Sequence, residues 1–150
     1  MRKSPAVASW SEVEKAAPEL AELARGFFDA HTHKTVATLR RDGSPRISGT
    51  EVDFAGGELT IGSMWLAVKA LDLRRDPRFA LHSGSDDPPD WKGDAKAAGT
   101  MVEIDPPEGS PSHRFRADIT ELVVVRLGEP ADHIVIESWH EGEGVKTKRR

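Results

Sequence analysis

The chain has 150 residues, 37% of them hydrophobic and 31% charged, which allows one globular domain and is too short for two ordinary ones. It has no cysteine, and this excludes disulfides, thiolate nucleophiles, iron–sulfur clusters and the common structural zinc sites. The formal net charge of −4 argues against broad electrostatic attraction to nucleic acid, so we expect no nucleic-acid partner.

The amino terminus, residues 1–10, carries Arg2 and Lys3 but lacks the apolar run of a secretory signal. No stretch of the sequence approaches the roughly 20 apolar residues that would span a bilayer. We therefore expect a cytoplasmic protein with no membrane partner.

Two helices are predicted next. The sequence SEVE at residues 11–14 matches a capping box with Ser11 as the cap. A second helix is expected to begin at Pro18, because proline is well tolerated at the first helical position. The apolar stripe predicted for this helix comprises Leu20, Leu23, Phe27 and His31.

From residue 35 the pattern becomes that of strands. Residues 36–40 lead into Asp42-Gly43, a two-residue hairpin signal, and residues 46–54 form the return strand. Alternation then places Arg46, Ser48, Thr50, Val52 and Phe54 on one face of that strand. Gly56-Gly57 makes the next turn, before a strand over residues 58–62.

The rest of the chain adds a short helix over residues 69–76, stopped by Pro77, and a loop over residues 84–93. Further strands are predicted at residues 79–82, 94–104, 115–126 and 133–139. About six or seven largely antiparallel strands with peripheral helices indicate a mostly β fold, a barrel or a sandwich. We predict a single domain over residues 1–150, with a helical segment at 1–33, a barrel at 34–140 and a tail at 141–150.

Familiar catalytic motifs are missing from the sequence. There is no Gly-x-Ser-x-Gly elbow, no phosphate-cradling glycine-rich loop and no His-Glu-x-x-His zinc motif. The candidates for metal ligands are His31-x-His33 and the pair His133 and His140, but no nearby carboxylate supplies a convincing third ligand for the first pair. We expect no metal and no catalytic side chain.

Several segments together resemble the pyridoxamine 5′-phosphate oxidase-like family. They are ATLRRDGSPRISGT at residues 37–50, KALDLRRDPR at 69–78, GDAK at 93–96 and IESWH at 136–140. Each segment alone is weak, and their order and spacing carry the resemblance.

The resemblance implies a split β-barrel homodimer, with two flavin sites built at the subunit interface from both chains. It implies a cofactor-binding role for nine residues: Arg46, Ser48, Gly49, Thr50, Ser63, Met64, Lys69, Lys96 and Trp139. The 46–50 strand would lie along the flavin ring, Ser63 and Lys69 near the cofactor phosphate, and Lys96 and Trp139 close to the ring system or ribityl chain.

The residue types suit these roles, and each also has a structural interpretation. Lys69, Arg46 and Ser63 can supply charge and donors to a phosphate, but Lys69 can equally be a solvated helix residue and Arg46 can pair with a carboxylate. Ser48 and Thr50 can be ordinary strand residues. Trp139 can stack on a ring or lie in the core.

The resemblance implies an oxidoreductase that binds FMN or a deazaflavin (coenzyme F-420) and transfers a hydride to or from a small-molecule substrate. One departure is Ala67-Val68-Lys69, where tight FMN binders of the family often have Ser-Arg-Lys. The alternative is therefore a non-enzymatic split-barrel dimer that binds a different ligand or has lost its flavin.

Overall fold

A computed structural model describes residues 7–150. Residues 1–6, which belong to the stretch interpreted above as lacking a secretory signal, lie outside the described residues. Two helices come first, α1 (Trp10–Ala16) and α2 (Pro18–Asp29). Pro18 begins α2 as predicted.

The cap of α1 is Ser9 and not Ser11. The Ser9 hydroxyl accepts a hydrogen bond from the Glu12 amide at 3.2 Å, and the Glu12 carboxylate accepts one from the Ser9 amide at 3.0 Å. The sequence holds two overlapping Ser-x-x-Glu patterns, and the earlier one forms the box. The Ser11 amide donates instead to the main-chain oxygen of Gly57.

Within residues 7–150, nine strands and one further helix follow, and every strand pairing there is antiparallel. In chain order they are β1 (Lys34–Leu39), β2 (Pro45–Thr50), β3 (Val52–Ala55), β4 (Glu58–Met64), α3 (Val68–Arg75), β5 (Arg78–His82), β6 (Gly93–Ile104), β7 (Ser112–Leu127), β8 (Ile134–His140) and β9 (Gly144–Arg149). The predicted fold class is confirmed.

Three local features differ from the prediction. The predicted strand over residues 46–54 is divided at Glu51 into β2 and β3, and residues 144–149 form a strand where a tail was expected. The β1–β2 hairpin closes with three residues, not two, because the Arg40 amide bonds the Ser44 oxygen and the Gly43 amide bonds the Arg40 oxygen. Gly43 has a φ of 85°, which suits the glycine position of such a three-residue turn.

The sheet curls into a barrel without a pairing between its two end strands in the described residues. Its strand order is β2-β1-β5-β6-β7-β4-β3, so β2 and β3 lie at opposite ends of the pairing order. Only Glu51 separates them in the chain, and the sheet must therefore curl round to bring its two ends together. The first part of β7 pairs with β4 and its last part with β8, which splits the barrel along β7.

A β-bulge in the long strand β7 changes which of its side chains face the core. Ala98 pairs with Glu121 and Gly99 with Ile119, so Thr120 is an extra residue on β7. A side chain at Gly99 would collide with the main-chain oxygen of Asp118, which explains the glycine at this point. The bulge shifts the buried side chains from odd positions before it to the even positions Leu122 and Val124 after it.

The core fills the barrel and continues under α2. The α2 residues in it are Leu20, Ala21, Ala24 and Phe28, which belong to one core cluster with barrel residues such as Leu59, Ile61, Phe115 and Ile119. The stripe predicted for α2 is thus only partly correct. Leu20 is buried, but Leu23 is 39% exposed, and Phe28 takes the core position expected for Phe27.

Asp72 joins α3 to the first hairpin. Its carboxylate is 2% exposed and accepts hydrogen bonds from the Thr38 hydroxyl at 2.8 Å, from Arg46 Nε at 2.7 Å and from an Arg75 guanidinium nitrogen at 2.9 Å. Burial raises the pKa of Asp72, but these three donors outweigh it and hold the pKa below the ordinary value of 3.8. Asp72 is therefore an ionised, fully partnered junction of β1, β2 and α3.

We expect Asp72→Asn to lower the free energy of unfolding by about 2–4 kcal/mol, because two arginines lose their charged acceptor. Urea denaturation measures this loss. Since the folded pKa of Asp72 is lowered, its contribution is present above pH 3.8 and lost as pH falls through the folded value, and the variant lacks that part of the acid dependence.

The matched control is Asp76→Asn. Asp76 pairs with Arg78 on the surface, where an ion pair contributes less than about 1 kcal/mol. Equal losses in the two variants would show that Asp72 is not a special junction.

Candidate functional site

A cleft of about 1110 Å³ opens beside β2, β3 and β4. The start of α3 and the segment leading into β7 complete its walls. Its lining comprises His33, Gly49, Thr50, Glu51, Val52, Asp53, Thr60, Gly62, Ser63, Met64, Trp65, Lys69, Pro107, Ser110, Pro111, Ser112, His113 and Arg114. This volume is large enough for a cofactor-sized molecule.

Two glycines leave bare backbone in the cleft. Both Gly49 on β2 and Gly62 on β4 are exposed. A Cβ at Gly49 would meet no heavy atom within 4 Å, and at Gly62 the nearest would be the His113 main-chain oxygen at 3.9 Å. Neither glycine is therefore required by tight packing. The missing side chains leave the strand backbone open to close approach from the cleft.

Two cations line the cleft. Lys69 Nζ donates to the Gly49 main-chain oxygen at 2.8 Å, and burial lowers the pKa of this lysine. Arg114 lies on β7 directly opposite Gly62. Within residues 7–150 the Arg114 guanidinium has no hydrogen-bonding or ionic partner. The cleft can thus offer positive charge to an anionic group beside the glycine backbone.

Five of the nine residues that the resemblance implied line this cleft. They are Gly49, Thr50, Ser63, Met64 and Lys69. The fold therefore brings these five residues together in one cleft.

The other four lie outside the cleft of the single chain. Arg46 is bound to Asp72, and Ser48 is half-buried on the same face of β2 as Arg46. Lys96 is exposed on β6, between His82 of β5 and Val123 of β7. Trp139 is 2% exposed and belongs to the core cluster.

A side-chain network that we name the Trp65 clamp fixes the loop between β4 and α3. It consists of Trp65, His113, Glu103 and Arg74. The Trp65 ring stacks on the buried His113 ring, with centroids 4.7 Å apart and planes 8° apart. Glu103 accepts a hydrogen bond from Arg74 Nε at 2.6 Å, and the Arg74 guanidinium lies 5.7 Å from the Trp65 ring centre.

The partners of the two ring nitrogens indicate the tautomer of His113. Its Nε2 accepts a hydrogen bond from the Leu66 amide at 3.0 Å, so the proton of the neutral ring is assigned to Nδ1, which faces Glu103 at 2.9 Å. The Arg74 hydrogen bond is the main cause that lowers the pKa of Glu103 to about 2; His113 adds to it and burial opposes it. Leu66 has a φ of 60°, an unfavourable backbone for leucine that the clamp stabilises.

Sequence reasoning missed the clamp and Arg114. The strand predicted over residues 115–126 begins too late, which left His113 and Arg114 in a loop. The structure begins β7 at Ser112 and pairs Ser63 with His113. An alternation extended two residues toward the amino terminus would have placed His113 inward and Arg114 outward.

We expect His113→Phe to raise the hydrogen-exchange rate of the Leu66 amide about 3- to 10-fold, because a net hydrogen bond of about 1 kcal/mol is lost. Exchange followed by NMR or mass spectrometry measures it. His140→Phe is the control, since His140 pairs with Glu121 on another part of the barrel. An unchanged Leu66 rate in His113→Phe would contradict the clamp.

Within the described part of the chain, no group of three or more histidine, aspartate or glutamate side chains is placed to hold a metal ion. His31 faces Asp86, His133 faces Asp132 and His140 faces Glu121, each with one carboxylate. Over the same residues, no helix is both long and apolar enough to cross a membrane.

The curled antiparallel sheet, split along β7 and with a cleft on its outer side, is the split β-barrel fold. Solved structures share it. A pyridoxamine 5′-phosphate oxidase-related, FMN-binding protein from Nostoc punctiforme matches with a TM-score of 0.61 and 13% identity, over 92% of this chain and 96% of that one. PhzG from Burkholderia lata, in complex with tetrahydrophenazine-1-carboxylic acid, matches with a TM-score of 0.64 and 10% identity, over 93% and 90%.

A conserved protein from Mycobacterium tuberculosis matches with a TM-score of 0.56 and 20% identity, over 66% of this chain and 79% of that one. No protein-family model and no curated protein matches the sequence. The resemblance to the pyridoxamine 5′-phosphate oxidase-like proteins is thus confirmed at the level of the fold.

Proposed function

We propose that this protein is a flavin- or deazaflavin-dependent oxidoreductase of the pyridoxamine 5′-phosphate oxidase-like family. The observation that carries the proposal is the cleft in which Gly49 and Gly62 expose bare backbone beside Lys69 and Arg114. A planar ring with an anionic tail fits this combination of flat backbone and positive charge. PhzG, which has the same fold, binds a ring-containing carboxylic acid, tetrahydrophenazine-1-carboxylic acid, and this supports a cyclic, anionic occupant.

Different residues of the cleft would hold different parts of FMN or coenzyme F-420. The backbone at Gly49 and Gly62 would lie along the ring, and Lys69, Arg114 and the hydroxyls of Thr50 and Ser112 would face the polar tail. The Trp65 clamp would keep water from one side of the ring. When bound, the cofactor supplies hydride transfer to or from a small-molecule substrate, so the protein needs no catalytic acid or nucleophile of its own.

To bind a cofactor phosphate, the Lys69 amine has to give up its present hydrogen bond to Gly49. Its amine now donates to the Gly49 oxygen, and its pKa is lowered by burial. A phosphate at the same place would replace a neutral acceptor by a charged one and favour the protonated amine. The contact with Gly49 therefore keeps Lys69 near the position where a ligand would meet it.

We expect one of the two cofactors, FMN or F-420, to bind the purified protein and to change its own fluorescence. Gly62→Leu would weaken binding at least about 10-fold by filling the cleft, and Lys69→Met by about 10-fold through loss of a charge-assisted hydrogen bond. Fluorescence titration of each variant measures both effects.

Lys148→Met, on the exposed strand β9, is the matched control and should bind like the original protein. If neither cofactor binds up to high micromolar concentration, or if Gly62→Leu binds as well as the original chain, the proposed site is wrong.

The homodimer belongs to the same proposal. Beside the cleft, large apolar side chains stand in solvent: Ile47 is 75% exposed and Met64 82%, and Trp65, Leu66 and Val68 are each more than half exposed. Ile47 shares the outward face of β2 with Gly49. A second copy covering this surface would bury it, and residues of that copy, such as its Lys96, would complete the cleft.

In sedimentation experiments we expect a dimer, which Ile47→Glu should convert to a monomer by placing a charge on the covered surface. Val145→Glu is the control, because Val145 is an exposed apolar residue on β9. A monomer at every concentration tested would remove the dimer from the proposal.

One observation favours the alternative, a non-enzymatic split-barrel dimer that binds another ligand. Arg46 is bound to Asp72 and Lys69 to Gly49, so two cations assigned to a cofactor phosphate already have acceptors. The absorbance spectrum of the protein as purified separates the two functions, because retained flavin is yellow. A cytoplasmic location remains part of the proposal for either function.

A further inference from the structure

A second pocket, of about 670 Å³, lies between α2 and two short segments, residues 84–86 and 92–93. It shares no lining residue with the cleft. We propose that it binds a small aromatic compound that carries a protonated amine. The inference is independent of the flavin proposal.

One wall of the pocket is a complete face of α2. Its lining positions are 19, 22, 23, 26, 27 and 30, which follow the spacing of one side of a helix. The core side of the same helix is formed by other residues, including Leu20, Ala24 and Phe28. Leu23 is 39% exposed, and Phe27 packs against the edge of the core and is only partly buried, so both present apolar surface to the recess.

Gly26 keeps this recess open. Glycine in the middle of a helix lowers helix stability, and here no close packing requires it, since a Cβ at Gly26 would meet no heavy atom within 4 Å. A larger residue would project into the pocket between the apolar side chains. The absence of a side chain leaves room for a flat ring against the helix backbone.

The charges around the recess favour a cation. Glu19 and Glu22 line the helix side, and neither forms an ion pair with any residue in the described range 7–150. Across the pocket, Asp86 lies 3.2 Å from His31, and Lys92 is the one lysine or arginine of the lining. Carboxylates therefore outnumber fixed cations, and an ammonium group near Glu22 would be attracted while a carboxylate would be repelled.

The test uses three probes of one shape: 1-naphthylmethylamine, 1-naphthalenemethanol and 1-naphthoate. Calorimetric titration should show the amine binding at least about 10-fold more tightly than the alcohol, with the carboxylate weakest. Glu22→Gln should bring the amine close to the affinity of the alcohol. Glu14→Gln, on the exposed side of α1, should change nothing.

Gly26→Leu should weaken the amine at least about 10-fold by filling the recess. Gly26→Ala is a second variant for the case that the larger one folds poorly. It should raise Tm through better helix propensity and still lower the affinity for the amine. Equal affinities of the amine and the alcohol for the original protein, or an undiminished amine affinity in both Gly26 variants, would overturn the proposal.

Discussion

The cleft depends on a single buried carboxylate. Asp72 receives donors from β1, from β2 and from its own helix, so it sets the position of α3 against the first hairpin. Lys69 lies three residues before Asp72, on the same side of α3, and is thereby brought over Gly49. Other polar contacts of α3, such as Arg74 with Glu103, lie on the exposed side of the helix, and Asp72 is its buried polar contact with both strands of the hairpin.

Much of the charge near the cleft is already engaged in structure. Arg46 forms an ion pair with Asp72, and Arg74 forms one with Glu103. The Lys69 amine donates a hydrogen bond to a main-chain oxygen. An anionic ligand would find Arg114 without a partner among the described residues but would have to draw Lys69 from Gly49. The affinity of any ligand is therefore a difference between new and existing contacts, and counting cations in the sequence overestimates it.

The sequence predicted most elements, because strand alternation, glycine turns and prolines are local signals. It placed the hairpin at Gly43, α2 at Pro18 and the helix before Pro77. The long-range interactions had no such signal. That Arg46 faces Asp72, 26 residues later, follows only from the tertiary fold, and so does the stack of Trp65 on His113. The residue types indicated which side chains could line a cofactor site. The tertiary contacts of those side chains determine which of them do line the cleft.

The bulge at Thr120 lets one strand belong to two walls of different character. Without the extra residue, the inside-outside alternation set by Phe115, Ala117 and Ile119 would continue unbroken, and Leu122 and Val124 would turn to solvent. A deletion of this one residue would shift the register of the strand. The side chains of residues 121–127 would then exchange their inward and outward faces. That single residue thus allows the half of β7 that carries Arg114 and the half that pairs with β8 each to turn apolar side chains toward the core.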